Sequence, residues 1–192
     1  MKVYVQQYCA LGRQYLLIKS IYMMAENAAH NRRSIDEKQT TGGARMIAII
    51  DYDAGNIKSV EKALHYLGEE TVVSRDPQVL LSADKVILPG VGSFGDAMNN
   101  LNKFGLVPVI REITEKGTPF LGICLGLQLL FESSDETPGA EGLGILKGKI
   151  VKIPPAPGLK IPHMGWNSLP LQNDGRLFKG IPEETYVYFV HS

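Results

Sequence analysis

From Met46 onward, short apolar runs alternate with segments whose apolar residues recur every three or four positions. Ile47-Ala48-Ile49-Ile50 is a continuous run that stops at Asp51, the pattern of a parallel strand buried on both faces. Ala54-Gly55-Asn56 is a turn. Ile57, Val60, Leu64 and Leu67 then fall at helical spacing, with Gly68 placed to end the helix. Thr71-Val72-Val73 and Val86-Ile87-Leu88 predict two further strands, the second running into Pro89-Gly90-Val91-Gly92. Met98–Lys103 and Leu106–Lys116 predict helices, stopped by Gly117. Phe120–Ile123 predicts a fourth strand, and a helix opens at Leu125. Strands alternating with helices predict an α/β fold, a three-layer, mostly parallel, doubly wound sheet.

The pattern changes on either side of this block. After Phe131, Ser133–Gly144 reads as a polar, Gly-rich loop, and Lys149–Ile153 alternates like a half-exposed strand. Pro154, Pro155 and Pro157 mark a rigid turn. Trp166–Leu169 and Tyr186–Val190 are strand candidates, so antiparallel strands are expected in the second half. Before Met46, Leu11, Tyr15, Ile18 and Tyr22 predict a helix from about Cys9 to Ala25. Glu26–Arg45 is polar and approaches the domain through Thr40-Thr41-Gly42-Gly43, a linker composition. The expected organisation is therefore an N-terminal extension, 1–45, outside the core, and one domain, 46–192.

Composition narrows the class without naming a chemistry. Hydrophobic residues make up 44% and charged residues 21% of the chain, ordinary for a globular protein. Residues 1–45 carry seven Lys/Arg and three Asp/Glu, the remainder thirteen and seventeen. No basic stripe in the domain suggests nucleic acid. The apolar part of the extension is interrupted by Arg13, Gln14 and Lys19, which argues against a membrane span. The two cysteines, Cys9 and Cys124, offer neither a disulfide framework nor metal spacing, and a lone thiol fits a reducing cytoplasm. No metal or cofactor is expected.

Cys124 lies between the fourth strand and its helix, with Gly122 and Gly126 two residues away on each side. That is the spacing of a nucleophile elbow, where a tight strand-to-helix turn pushes one side chain outward. A cysteine so placed is either packed core or a thiol activated by the helix N-terminus. An activated thiol suits acyl transfer, which needs N–H donors for the oxyanion. The N–H of Leu125 is one, and the Gly90-Val91-Gly92 turn can supply a second. Ligands of such sheets bind beyond the carboxyl ends of the strands, where these turns and Cys124 would meet.

Gly122-Ile123-Cys124-Leu125-Gly126-Leu127-Gln128 resembles the nucleophile motif of class I glutamine amidotransferases, a flavodoxin-like fold. Asp51-Tyr52 with Gly55-Asn56, Pro89–Phe94, Pro162–Asn167 and Tyr188–Ser192 resemble, more narrowly, the glutaminase subunits of imidazole glycerol phosphate synthase. The resemblance covers Met46–Ser192. It implies hydrolysis of glutamine to glutamate and ammonia through a cysteine thioester. Ammonia would pass to a cyclase partner, a (βα)₈ barrel, in a cytoplasmic heterodimer of histidine biosynthesis. By resemblance, Cys124 is the nucleophile, and Val91 and Leu125 are the oxyanion N–H donors, the Gly90-Val91 loop needing to reorient in the family. Gly92, Gln128, Glu136 and Ser192 bind the substrate, and Asn56 and Trp166 face the cyclase.

One departure is large. The family completes its triad with a His-Pro-Glu motif, and these 192 residues contain none. The expectation is a domain incomplete at its C-terminus and poorly active as given. His163 and His191 fall outside the family's catalytic motif and are expected to be structural. Two alternatives stay open: a glutaminase of the anthranilate synthase type, and a non-catalytic module that keeps the fold.

Overall fold

The computed structural model describes residues 3–6, 45–53, 56–158, 160–168 and 185–192. Strand β1 is Val3–Gln6, β2 Met46–Ile50, β3 Glu70–Ser74, β4 Lys85–Leu88 and β5 Phe120–Ile123. They form one parallel sheet in the order β1-β5-β4-β2-β3. The helices are α1 (Ile57–Tyr66), α2 (Pro77–Ser82), α3 (Phe94–Lys103), α4 (Leu106–Glu115) and α5 (Leu125–Gln128).

Alternation along the strands divides the core in two. Ala48, Ile50, Val86, Leu88 and Phe120 face one way, onto Leu80 of α2, Phe94 and Leu101 of α3, and Ile110 of α4. Ile47, Ile49, Ile87 and Leu121 face the other, onto Val60, Ala63 and Leu64 of α1. Strand residues buried on both faces explain why β2 and β4 read as unbroken apolar runs. The three-layer, doubly wound sheet is therefore the one the alternation predicted.

Several boundaries differ from expectation for local reasons. Helix α3 starts at Phe94 rather than Met98, because the Ser93 side chain caps it by accepting from the Asp96 N–H. Helix α2 was not expected. Asp76 caps it, Pro77 occupies its first turn, and it buries only Leu80, too little for a periodic signal. The strand expected over Lys149–Ile153 is only Lys149–Ile150 (β7), and it pairs in parallel with Ser133–Ser134 (β6). The pair expected further on is present: His163–Ser168 (β8) runs antiparallel to Tyr186–His191 (β9). Strand β8 starts three residues before Trp166, which gives each strand a full six-residue partner.

In the extension, the helix expected over Cys9–Ala25 lies outside the described residues. Of the extension, residues 3–6 and 45 are described, and the first four join the sheet: β1 pairs with β5, Gln6 opposite Ile123. The expectation put all of 1–45 outside the core. The extension instead supplies an edge strand, while every buried hydrophobic residue described lies at Ile47 or beyond. Among the described residues, no helix is long and apolar enough to cross a membrane.

Candidate active site

The turn at Cys124 is a strained elbow. Cys124 has φ 55° and ψ −117°, a left-handed conformation rare for any residue but glycine. The flanking glycines are required by contact. A Cβ on Gly122 would lie 2.6 Å from Leu127 Cα, and one on Gly126 would lie 1.9 Å from the Leu88 carbonyl oxygen. The end of β4 and the first turn of α5 thus touch backbone to backbone, and the half-buried Cys124 side chain is turned out beside them.

The helix after the elbow is shorter than the dipole argument assumed. Helix α5 has four residues, so few peptide dipoles add. What remains is local. The Leu127 and Gln128 N–H groups donate to the Cys124 carbonyl at 3.0 and 3.3 Å. Leu125, expected to give the first oxyanion N–H, precedes them in the helix.

The second turn meets the first. A Cβ on Gly90 would lie 2.6 Å from Gly126 N, 2.8 Å from the Tyr52 hydroxyl and 2.9 Å from Leu125 Cβ. Gly90 is buried, whereas Val91 is 49% exposed. Gly92 follows at φ 100°. The turn carrying Val91 therefore lies against the elbow.

Tyr52 is a participant whose role the sequence did not reveal. Its ring is fully buried, and its hydroxyl donates to the Pro89 carbonyl at 2.7 Å. Burial first, and then the nearby Cys124 thiolate, push its pKa well above the ordinary tyrosine value. Tyr52 therefore remains a donor throughout the physiological range. Its neighbours point outward. The Arg75 guanidinium bonds Asp51 at 2.7 Å and Asp53 at 2.5 Å and lies 4.2 Å over the Phe104 ring. Burial alone would raise the Asp51 pKa, but the bonds from Arg75 and the Asp53 N–H, with the Arg75 charge, hold it below 3.8.

Of the residues expected to bind substrate, three cluster here. Gln128 is half-buried one turn beyond Cys124, and Gly92 is in the β4–α3 turn. Glu136 reaches the same turn: its carboxylate accepts from the Phe94 N–H at 2.9 Å, and Thr137 Oγ1 accepts from the Gly95 N–H at 3.2 Å. Glu136 thus caps α3, a use of the acidic loop that no local signal announced. Ser192 is exposed just after β9, whose two-stranded sheet with β8 is separate from the five-stranded one.

The two positions expected to face the cyclase are both at the surface. Asn56 precedes α1 and accepts from Ser59 Oγ at 2.6 Å. Trp166 is 66% exposed on β8, with Tyr188 edge-on at 5.6 Å. His163 and His191 stand opposite each other across β8 and β9, with Nδ1 and Nε2 3.2 Å apart. His163 stacks on Phe189. Burial, and then the facing His163, lower the His191 pKa.

Comparison with known proteins agrees with this geometry. The family model described as glutamine amidotransferase class-I matches residues 48–192. The chain is 54% identical over 148 residues to a protein of Moorella thermoacetica named imidazole glycerol phosphate synthase subunit HisH, covering 77% of this chain and 70% of that one. It is 55% identical over 145 residues to the Aquifex aeolicus protein of the same name, covering 75% and 69%. A solved structure described as a glutamine amidotransferase superposes with a TM-score of 0.57 at 20% identity, covering 77% of this chain and 71% of that one, a likeness of fold alone.

Proposed function

The chain belongs to the class-I glutamine amidotransferase family, and from that premise we propose that it is the glutaminase subunit of an imidazole glycerol phosphate synthase. Cys124 Sγ attacks the side-chain carbonyl of glutamine. The carbonyl π pair moves onto oxygen, where the Leu125 and Val91 N–H groups stabilise it. Collapse expels ammonia, which must take up a proton, and leaves a thioester that water hydrolyses to glutamate. Gly92, Gln128, Glu136 and Ser192 hold the substrate, and a carboxylate at Glu136 has capacity for an ammonium beyond the N–H it caps. Ammonia passes to a (βα)₈-barrel cyclase that docks over Asn56 and Trp166, in a cytoplasmic heterodimer without nucleic acid.

The observation that carries this reading is the strained Cys124 turn, whose Gly126 is pressed against the end of β4. Both relatives bear the imidazole glycerol phosphate synthase name, which favours that pathway over the anthranilate type. Proton delivery is the weak point. The 192 residues contain no His-Pro-Glu; general acid–base assistance is worth about 10²–10⁴-fold, and the proposal for these residues as they stand is a formed but slow site. The test is glutamate release with the cyclase and its ligand present. No labelling of Cys124 by a glutamine-directed electrophile would favour the non-catalytic module instead.

A further inference from the structure

The turn between β4 and α3 is held at both ends, with the exposed Val91 and Gly92 between them. At its start the Pro89 carbonyl accepts from the buried Tyr52 hydroxyl at 2.7 Å. That carbonyl belongs to the Pro89–Gly90 peptide, so the bond fixes the plane of this peptide. At its end, Ser93 caps α3, and the Phe94 and Gly95 N–H groups are taken by Glu136 and Thr137. Between the two pins lie Gly90, the exposed Val91 and Gly92 at φ 100°. The Val91 N–H belongs to the very next peptide after the one Tyr52 holds. Gly90 lacks the side chain that would collide with the Tyr52 hydroxyl and Gly126 N.

We infer that Tyr52 is a positioning residue: by holding the Pro89 carbonyl, it fixes the peptide on which the Val91 N–H turns toward Cys124. The inference rests on the reading of Val91 as an oxyanion donor. Tyr52 touches no reacting atom. It acts through one peptide, 37 residues away in sequence. Removing its hydroxyl leaves a buried carbonyl without that donor and frees the Pro89–Gly90 peptide to rotate.

Two probes of Cys124 separate positioning from mere folding. The γ-aldehyde analogue of glutamine adds to the thiol: one S–C bond forms, the carbonyl π pair moves to oxygen, and the thiol proton ends there. Nothing leaves, and the product oxygen occupies the oxyanion position. Iodoacetamide alkylates the same sulfur by displacing iodide and needs no oxyanion donor. In the 192-residue protein, Tyr52→Phe is expected to weaken the aldehyde on the order of tenfold, a fraction of the loss for deleting one donor outright. Iodoacetamide reactivity should stay at the native rate, and 3-fluorotyrosine at position 52 should restore aldehyde affinity.

Unchanged aldehyde affinity in Tyr52→Phe overturns the inference. So does equal loss of both probes or of cooperative unfolding, since Tyr52 would then be structural only. Val91→Pro removes the donor itself and tests the underlying reading separately. If Val91→Pro binds the aldehyde as the native protein does, Val91 is not the donor, and the inference falls with that reading. If Val91→Pro weakens binding and Tyr52→Phe does not, only the role of Tyr52 is wrong.

Discussion

A methyl group on Gly126 would sit 1.9 Å from the carbonyl oxygen of Leu88, well inside van der Waals contact. Neither neighbour can yield easily, since Leu88 ends a central strand and Gly126 lies in the one turn of α5. Gly126→Ala is therefore expected to cost about 3 kcal/mol or more and to displace Cys124. Urea unfolding checks the first effect and iodoacetamide labelling the second. An Ala variant of native stability would mean that β4 and α5 do not touch as described.

The thiol of Cys124 should react with glutamine-directed electrophiles in preference to that of Cys9. Cys124 is followed by the Leu125 N–H, and the β4 turn lies against its elbow. Mass spectrometry of singly labelled protein gives the ratio, and equal labelling of the two cysteines would count against a formed site.

Acid should loosen the β8–β9 hairpin through His191. Its folded pKa is lowered from 6.5 by burial and then by His163, so the unfolded state binds the proton more readily. The stabilisation is full above 6.5 and is lost as pH falls through the folded value. The single tryptophan, Trp166, reports on the hairpin directly. Its fluorescence should titrate below pH 6.5, and His191→Phe should flatten the profile. A flat native profile would remove the His163–His191 pair as a cause.

Deleting residues 1–45 should leave a cooperative fold, because the described buried core begins at Ile47. It should also uncover the β5 edge that Val3–Gln6 pairs. The cost is that of a few net hydrogen bonds, about 1–3 kcal/mol. Loss of the cooperative transition would place the extension within the core.

As a glutaminase with its cyclase, the 192-residue chain should turn over about 10²–10⁴-fold more slowly than a version carrying a relative's His-Pro-Glu segment. Comparable glutamate release by the two would promote His163 or His191 to catalytic candidates.

Much of this was legible in the sequence because its signals are local. Burial on both faces writes β2 and β4 as apolar runs, and the Gly-x-Cys-x-Gly spacing marks the elbow. What was not legible depends on contacts between distant residues. Tyr52 meets Pro89 across 37 positions, and Glu136 meets Phe94 across 42. Val3–Gln6 is too short to announce its pairing with Phe120–Ile123. The helix at Pro77–Ser82 did leave a trace in Asp76-Pro77, a cap followed by a helix-starting proline, but its single buried leucine offers no period.

Because the β4 turn and α5 meet through Gly90 and Gly126, the gap across the oxyanion position is defined by two stretches of main chain. The exposed side chain of Val91 takes no part in that spacing, whereas the Leu125 side chain is buried against Gly90. The identity of Val91 is therefore free to drift, since any residue but proline supplies the same N–H, while Leu125 is held by packing. The glycines cannot drift at all. In this protein the tolerance of a position to mutation runs opposite to its apparent chemical importance: Val91 is replaceable, and the residues without side chains are not.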